Sequence, residues 1–114
     1  MKYLIMMFGD QATMMETRST EWIRSMIGFM KDLDQELRDA GEYVDGQGLV
    51  DPTQAKTVRF ENRAPVVTDG PFAEAKEVFG GFYVIRAESL AEALEWAKRG
   101  RFIAGANEVR EILE

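Results

Sequence analysis

The sequence contains no cysteine and no histidine among its 114 residues. The absence of cysteine excludes disulfides, thiolate nucleophiles and cysteine-ligated metals. Histidine is the commonest metal ligand and the usual general base near neutral pH, so Ser-His-Asp triads, Cys-His dyads and HExxH zinc sites are excluded as well. Any acid–base chemistry must come from Asp, Glu, Lys, Tyr or a bound cofactor. We predict neither a structural metal nor a resident cofactor.

Positive charge is also scarce. The chain has 14 Lys and Arg against 20 Asp and Glu, which gives a net charge of −6 and a pI of about 4.7. Such a chain has no broad positive field for phosphates or anionic lipid.

Long apolar runs are lacking too, because none approaches the roughly 20 residues that cross a bilayer. The run at 1–8 meets Gly9-Asp10 too soon for a secretory signal. We expect a cytoplasmic protein with neither nucleic acid nor membrane as partner.

The length fits one domain, residues 1–114, since separate cores usually take about 100 to 200 residues each. A hydrophobic fraction of 46% and a charged fraction of 30% are ordinary for a folded globular protein. A domain of this size buries somewhat more than about 60% of the surface that its unfolded chain exposes, so its core is thin. An additional interface would therefore stabilise it, and dimerisation is physically plausible.

The first half of the chain has the pattern strand, helix, strand. The apolar run Tyr3–Phe8 predicts a central strand that is covered on both faces. Ser19 suits a helix N-cap and Gly41 a helix stop, so a helix is predicted between them. A short strand with a loose or bulged end follows at Glu42–Leu49. The apolar stripe of the helix consists of Trp22, Met26, Phe29, Met30, Leu33 and Leu37, opposite Lys31, Asp34, Glu36 and Arg38.

Two further strands are predicted next, joined by a tight connection. Residues Lys56–Glu61 alternate between polar and apolar, which is typical of a half-exposed strand. Asn62-Arg63 then leads into a strand at 65–68.

The last part of the chain predicts a strand, a helix and a final strand. The strand at 78–87 contains Gly80-Gly81, which favours a bulge over a close approach of a ligand or backbone. Ser89–Glu92 is a capping box for the second helix, and residues 107–113 fit the final strand. The predicted apolar stripe of this helix is Leu90, Ala93, Leu94 and Ala97, with Trp96 on a flank. The order of the elements indicates an α+β fold of the ferredoxin-like type, with two helices on one face of an antiparallel sheet.

A long segment carries a resemblance to a known family. Residues 66–83 read VVTDGPFAEAKEVFGGFY and include the signature Asp69-Gly70-Pro71-Phe72. This segment resembles the DGPF branch of the YCII-related family. Further stretches that resemble the family in the same order are 3–10, 37–41, 46–49 and 91–97. The resemblance covers nearly the whole chain.

The resemblance implies a ferredoxin-like subunit that pairs through its sheet into a dimeric α/β barrel, a homodimer with a cleft near the dimer seam. Members of the family often bring a His and an Asp together in that cleft, and lyase-type chemistry has been credited within the group. Where some relatives have a His on the first helix, this chain has Met30. The family's frequent gene neighbourhood with alternative sigma factors implies a regulatory link.

Asp69 is the candidate catalytic residue. It ends a predicted strand, where a cleft carboxylate could act as general acid or base or could anchor a ligand that donates hydrogen bonds. The alternative is structural, because Asp before Gly-Pro is a natural turn former whose side chain caps backbone N–H groups. Turn chemistry accounts for all four residue types of the signature.

Candidate ligand-binding residues surround this signature. The basic cluster Lys98, Arg99 and Arg101 at the end of the second helix either complements the helix dipole or binds a carboxylate. The candidates for ligand contact are Phe72, Glu77, Phe79, Tyr83 and Arg101.

Two functions remain open: a binding or regulatory module for an unknown small molecule, and a lyase or hydrolase-type enzyme that uses Asp69.

Overall fold

The computed structural model describes residues 1–9, 17–50, 52–70, 79–99 and 105–114. A 3-10 turn at Pro52–Gln54 lies between the second and third strands. The remaining elements, in chain order, are β1 (Lys2–Phe8), α1 (Thr20–Asp39), β2 (Tyr43–Gly48), β3 (Lys56–Glu61), β4 (Ala64–Asp69), β5 (Phe79–Arg86), α2 (Leu90–Lys98) and β6 (Ala106–Glu111).

Four strands form an antiparallel sheet in the order β2-β5-β1-β6, and β3 and β4 form a separate hairpin. This mixed α+β arrangement, with two helices and an antiparallel sheet, was predicted from the sequence and is confirmed. It is consistent with a ferredoxin-like fold in which the hairpin is inserted between two strands of the sheet.

Helix α1 begins and ends where its capping residues predict. The Ser19 hydroxyl accepts a hydrogen bond from the backbone N–H of Trp22 at 3.1 Å, which satisfies one of the free donors of the first turn. At the other end Ala40 is the C-cap and Gly41 has φ +73°, a left-handed conformation that favours glycine.

The core lies between the helices and one face of the sheet. Alternate residues of β1 point into it, and Leu33 and Leu37 of α1 cover them. The intervening residues Leu4 and Met6 are only half-buried, on the face away from these helices. The expectation that β1 is covered on both faces is therefore not met by the described helices. The buried core residues are Tyr3, Ile5, Met7, Leu33, Leu37, Tyr83, Ile85, Ala87, Ala93 and Ala97.

Helix α2 packs through its small residues. Ala93 and Ala97 are buried and Trp96 packs against the core, whereas Leu90 and Leu94 are 51% and 40% exposed. The predicted stripe was thus right for the two alanines and wrong for the two leucines. Alanine side chains let the helix axis approach the sheet closely, and the large indole fills the remaining space at the edge.

The β3–β4 hairpin is joined by a two-residue turn in which Asn62 and Arg63 have φ +51° and +68°. Positive φ at both central positions matches the right-handed twist of the flanking strands. Within residues 52–70, all of which are described, Thr57 is the only buried one. Among the residues that the structure describes, no helix is both long and apolar enough to cross a membrane.

A carboxylate network ties α2 to the end of α1. The Trp96 Nε1–H donates to Glu42 Oε2 at 2.5 Å, and Glu42 directly precedes β2. Glu92, in the first turn of α2, accepts at Oε2 from the Glu88 backbone N–H at 3.1 Å. Burial, and a hydrogen bond with Glu92, raise the pKa of the Glu42 carboxyl above its usual range. The contact between the Glu42 and Glu92 carboxyl groups is thus most stable when Glu42 is protonated.

We predict that Glu42→Gln stabilises the protein above neutral pH by about 0.5 to 1.5 kcal/mol, the range of an ordinary hydrogen bond. A raised native pKa gives stability that is present at low pH and lost as the pH rises through it. Glutamine keeps an acceptor for Trp96 and remains neutral, so the advantage over wild type should vanish below about pH 4. Thermal unfolding between pH 3 and 9 measures this, with the exposed Glu114→Gln as control. A difference that does not change with pH would contradict the prediction.

Candidate functional site

A cleft of about 80 Å³ opens between α1 and one end of the sheet. The volume is enough for roughly five to eight water-sized groups, which suits a small ligand. Helix α1 contributes one wall of the cleft, and strands β1, β2 and β5 contribute the facing wall. The lining residues are Met7, Gly9, Met30, Asp34, Gly46, Gln47, Gly48, Gly80, Gly81, Phe82 and Tyr83.

Two glycines allow the strands around this cleft to approach closely. A Cβ on Gly81 would lie 2.8 Å from the backbone oxygen of Gln47, and a Cβ on Gly46 would lie 2.8 Å from the ring of Tyr83. Gly80 has no partner in the register, since Met7 pairs with Gly81 and Phe8 with Phe79, so the predicted bulge is confirmed. The bulge and the close approach, posed as alternatives from the sequence, occur side by side.

The polar centre of the cleft is Asp34 with Tyr83. The Tyr83 hydroxyl donates to Asp34 Oδ1 at 2.5 Å, across a separation of 49 residues in the chain. Tyr83 is 6% exposed, and Asp34 is half-buried on the cleft side of α1. Burial, followed by the neighbouring Asp34 carboxylate, holds the pKa of the Tyr83 hydroxyl above its usual range. Tyr83 therefore stays a hydrogen-bond donor at physiological pH and orients the carboxylate.

Among the lining residues given above, Asp34 is the only charged one. Its carboxylate offers about four acceptor positions, of which Tyr83 takes one. Met7 and Met30 supply flexible apolar wall, and the ring of Tyr83 supplies aromatic wall. Within the described residues there is no group of three acidic side chains that could hold a metal ion. The arrangement is suited to accept hydrogen bonds from a small, partly apolar molecule.

Of the ligand contacts predicted from the sequence, Tyr83 lines the cleft, and Phe79 directly precedes the lining residue Gly80 but is not among the lining residues given above. Phe79 is 38% exposed, and its ring is 5.6 Å from that of Phe8 at an angle of 51°. Phe72, Glu77 and Arg101 lie outside the described residues.

The two described members of the basic cluster each pair with a carboxylate. Lys98 pairs with Glu95 at 2.8 Å, and Arg99 pairs with Glu36 and lies 5.3 Å from the Trp96 ring centre. The Lys98 pair lies within α2, whereas the Arg99 pair joins the end of α2 to α1.

Asp69 ends β4 in the hairpin, apart from the lining of the cleft. Its side chain is 87% exposed and accepts from Lys56 Nζ at 2.6 Å. The following Gly70 has φ +92°, and its carbonyl oxygen accepts from the Thr57 hydroxyl at 2.7 Å. Gly70 thus has the positive φ that favours glycine in a turn, whereas Pro71 and Phe72 lie outside the described residues. The catalytic role of Asp69 stays a prediction.

Sequence reasoning missed Asp34, which it placed on the solvated face of the first helix. The signal that was available is its position one residue after buried Leu33 and four after Met30, at the border of the apolar stripe. The contact with Tyr83 joins distant parts of the chain, and no local pattern indicates it. Gly46 and Gly48 were noted as a strand irregularity but not as cleft residues.

We predict that alanine destabilises the protein at one glycine of the cleft and has little effect on stability at another. Gly81→Ala places a methyl group 2.8 Å from the Gln47 backbone oxygen and should destabilise the protein by about 1 to 3 kcal/mol, as overpacking typically does. Gly48→Ala is the matched control, because a Cβ there meets nothing within 4 Å. Its effect should stay within about 0.5 kcal/mol. Urea unfolding of both variants checks this, and equal stability would show that β2 and β5 are not held as closely as described.

Comparison with known proteins identifies the family of this chain. The model of the YCII-related domain matches residues 1–114, the full length of the chain. A protein of Rhizobium meliloti (strain 1021), named only as uncharacterized, is 36% identical over 101 residues, which are 86% of this chain and 78% of that protein. The chain belongs to the YCII-related family.

Proposed function

We propose that this protein is a binding module that holds a small molecule in the cleft beneath α1, with the Asp34 carboxylate as its main anchor. The observation that carries the proposal is the Asp34–Tyr83 hydrogen bond at the centre of the lining. A buried donor that fixes one carboxylate oxygen orients the other toward a ligand at little entropic cost. The matching relative is named only as uncharacterized, so the site itself is the basis for the proposal.

The lining defines the chemistry of the ligand. A single carboxylate with no cation among the described lining residues favours a neutral or cationic molecule that carries an N–H or O–H donor. The volume of about 80 Å³ favours a molecule of only a few non-hydrogen atoms. The thioether and aromatic walls favour an apolar portion next to the donor.

We predict that Asp34→Asn weakens binding of such ligands at least about tenfold, because charge-assisted hydrogen bonds are roughly twice as strong as neutral ones. The probes are a set of small amines, alcohols and amides, with carboxylates of the same size as a negative set. Thermal shift identifies binders, and calorimetry then gives the Kd of wild type and variant. Asparagine keeps the acceptor for Tyr83, so the fold should be unaffected.

The matched control is Asp32→Asn, which removes one negative charge from an exposed position of the same helix. It should leave the Kd unchanged within twofold or so. Equal binding by wild type and Asp34→Asn, or a preference for the carboxylates, would refute the cleft as proposed.

The pairing of two chains into a dimeric α/β barrel, and placement in the DGPF branch, also belong to this proposal. The signature Asp69-Gly70-Pro71-Phe72 supports the branch. Pairing is supported by the sheet face opposite the helices, which is apolar at its centre. Leu4 lies opposite Val84 and Met6 opposite Phe82 in the β1–β5 register, and all four are half-buried. Two such faces packed together would remove this surface from water.

We predict that the protein sediments as a homodimer at micromolar concentration. The reason is the thin core of a domain of this length together with the apolar sheet face. Sedimentation velocity over a dilution series measures the association directly. A stable monomer at these concentrations would contradict the pairing and leave the cleft proposal untouched.

The alternative function is a lyase or hydrolase-type enzyme in which Asp69 is the general acid or base. The exposed Asp69 carboxylate in one chain lacks the desolvated surroundings that tune such groups, so this function needs a second chain to cover it. Turnover by wild type that is lost in Asp69→Asn but kept in Asp34→Asn would favour the enzyme. A regulatory role linked to sigma factors rests on the family resemblance alone.

A further inference from the structure

The β3–β4 hairpin has its apolar side turned outward. Strand alternation and the register place two cross-strand pairs on one face, Val58 with Val67 and Phe60 with Pro65. On this face Val58 is 49%, Phe60 76% and Val67 63% exposed. A sheet that stands alone in water shows the reverse, with polar side chains outward.

The opposite face of the hairpin is the more polar and the better covered. It carries Thr57, which is buried, and Arg59 and Val66, which are half-buried. The polar side is therefore partly covered within the chain, and the apolar side is left to solvent. Scattered exposed apolar residues need no explanation, but a contiguous cross-strand patch of this kind marks an interaction surface.

The shape of the molecule agrees with a projecting hairpin. The radius of gyration is 16.0 Å and the principal extents are 48 × 41 × 18 Å. A compact chain of 114 residues has a radius of gyration of about 13 Å. An isolated two-stranded hairpin is at best marginally stable in water, so a projecting one gains from a surface to pack on.

Charge distinguishes the hairpin from the rest of the chain. Residues 52–70 carry the cations Lys56, Arg59 and Arg63 and the anions Glu61 and Asp69, a net charge of +1, which leaves −7 for the remainder. A hairpin of this sign is attracted to a body of the charge that this same chain has. Charge complementarity therefore favours a second copy of the chain as the occupant.

We propose that the β3–β4 hairpin is an arm that packs its apolar face, defined by Val58, Phe60, Pro65 and Val67, against the body of a second copy. This inference rests on the pairing stated under the proposed function and adds a second contact to it. Two strands of six residues cover a footprint of roughly 200 Å², and the four-stranded sheet face roughly 440 Å². A stable dimer buries about 800 Å² per partner. The sheet face alone therefore has too little area for a stable dimer, and the arm supplies part of the difference.

The test is the dimer dissociation constant of arm variants, measured by sedimentation velocity on the full chain. Phe60→Thr and Val67→Thr shorten exposed side chains with a residue that suits a strand, so each should fold as wild type does. Each should raise the dissociation constant at least about tenfold. Ala64→Ser, on the opposite face of the same hairpin, is the control and should leave it unchanged.

A third variant tests the charge argument. Arg63→Asn removes a cation at the tip while keeping a residue that tolerates positive φ. It should weaken the dimer at low salt and have no effect at about 0.5 M salt, where surface charges are screened.

Met6→Thr, on the sheet face, separates the two contacts. Dissociation by Met6→Thr with no change in Phe60→Thr and Val67→Thr overturns the arm and leaves the paired sheet standing. A wild-type monomer overturns both. Selective weakening by the arm variants supports the arm.

Discussion

A side chain on Gly81 would meet the carbonyl oxygen of Gln47 at 2.8 Å, and one on Gly46 would meet the ring of Tyr83 at the same distance. The close approach of β2 and β5 therefore requires glycine on both strands. This approach brings Tyr83 beneath α1, where its hydroxyl reaches Asp34. It also leaves the volume that a Cβ would fill as part of the cleft. One steric constraint thus sets the position of a strand, the orientation of the carboxylate and the space for a ligand.

Local signals predicted much of this fold. The cap at Ser19, the stop at Gly41 and the bulge at Gly80 depend on residues within one turn or one strand, and the structure has all three. Leu90 and Leu94 show where such reasoning fails. Periodicity predicts that an apolar stripe exists, but which of two adjacent stripes faces the sheet depends on how closely the helix packs. Ala93 and Ala97 allow the closer packing, and the leucines are left partly exposed.

The candidate site was harder to predict than the fold because it is assembled from long-range contacts. The signature around Asp69 drew attention since its residue types are unusual, yet those types are what a strand-ending turn requires. Asp34 belongs to a helix whose other charged residues face solvent, and composition alone does not distinguish it from Asp32. Only the tertiary placement of Tyr83, from the other end of the chain, does so.

The hairpin and the thin core are two consequences of one distribution of apolar residues. Hydrophobic residues make up 46% of the chain, yet three of the ten buried hydrophobic residues of the described core are alanines. Much of the larger apolar surface lies instead on the outer sheet face around Met6 and Phe82 and on the hairpin around Phe60. A small domain gains little by enlarging a core that its length cannot enclose. Apolar surface placed on two outer faces can be buried only between molecules, which is why both faces enter the proposed pairing.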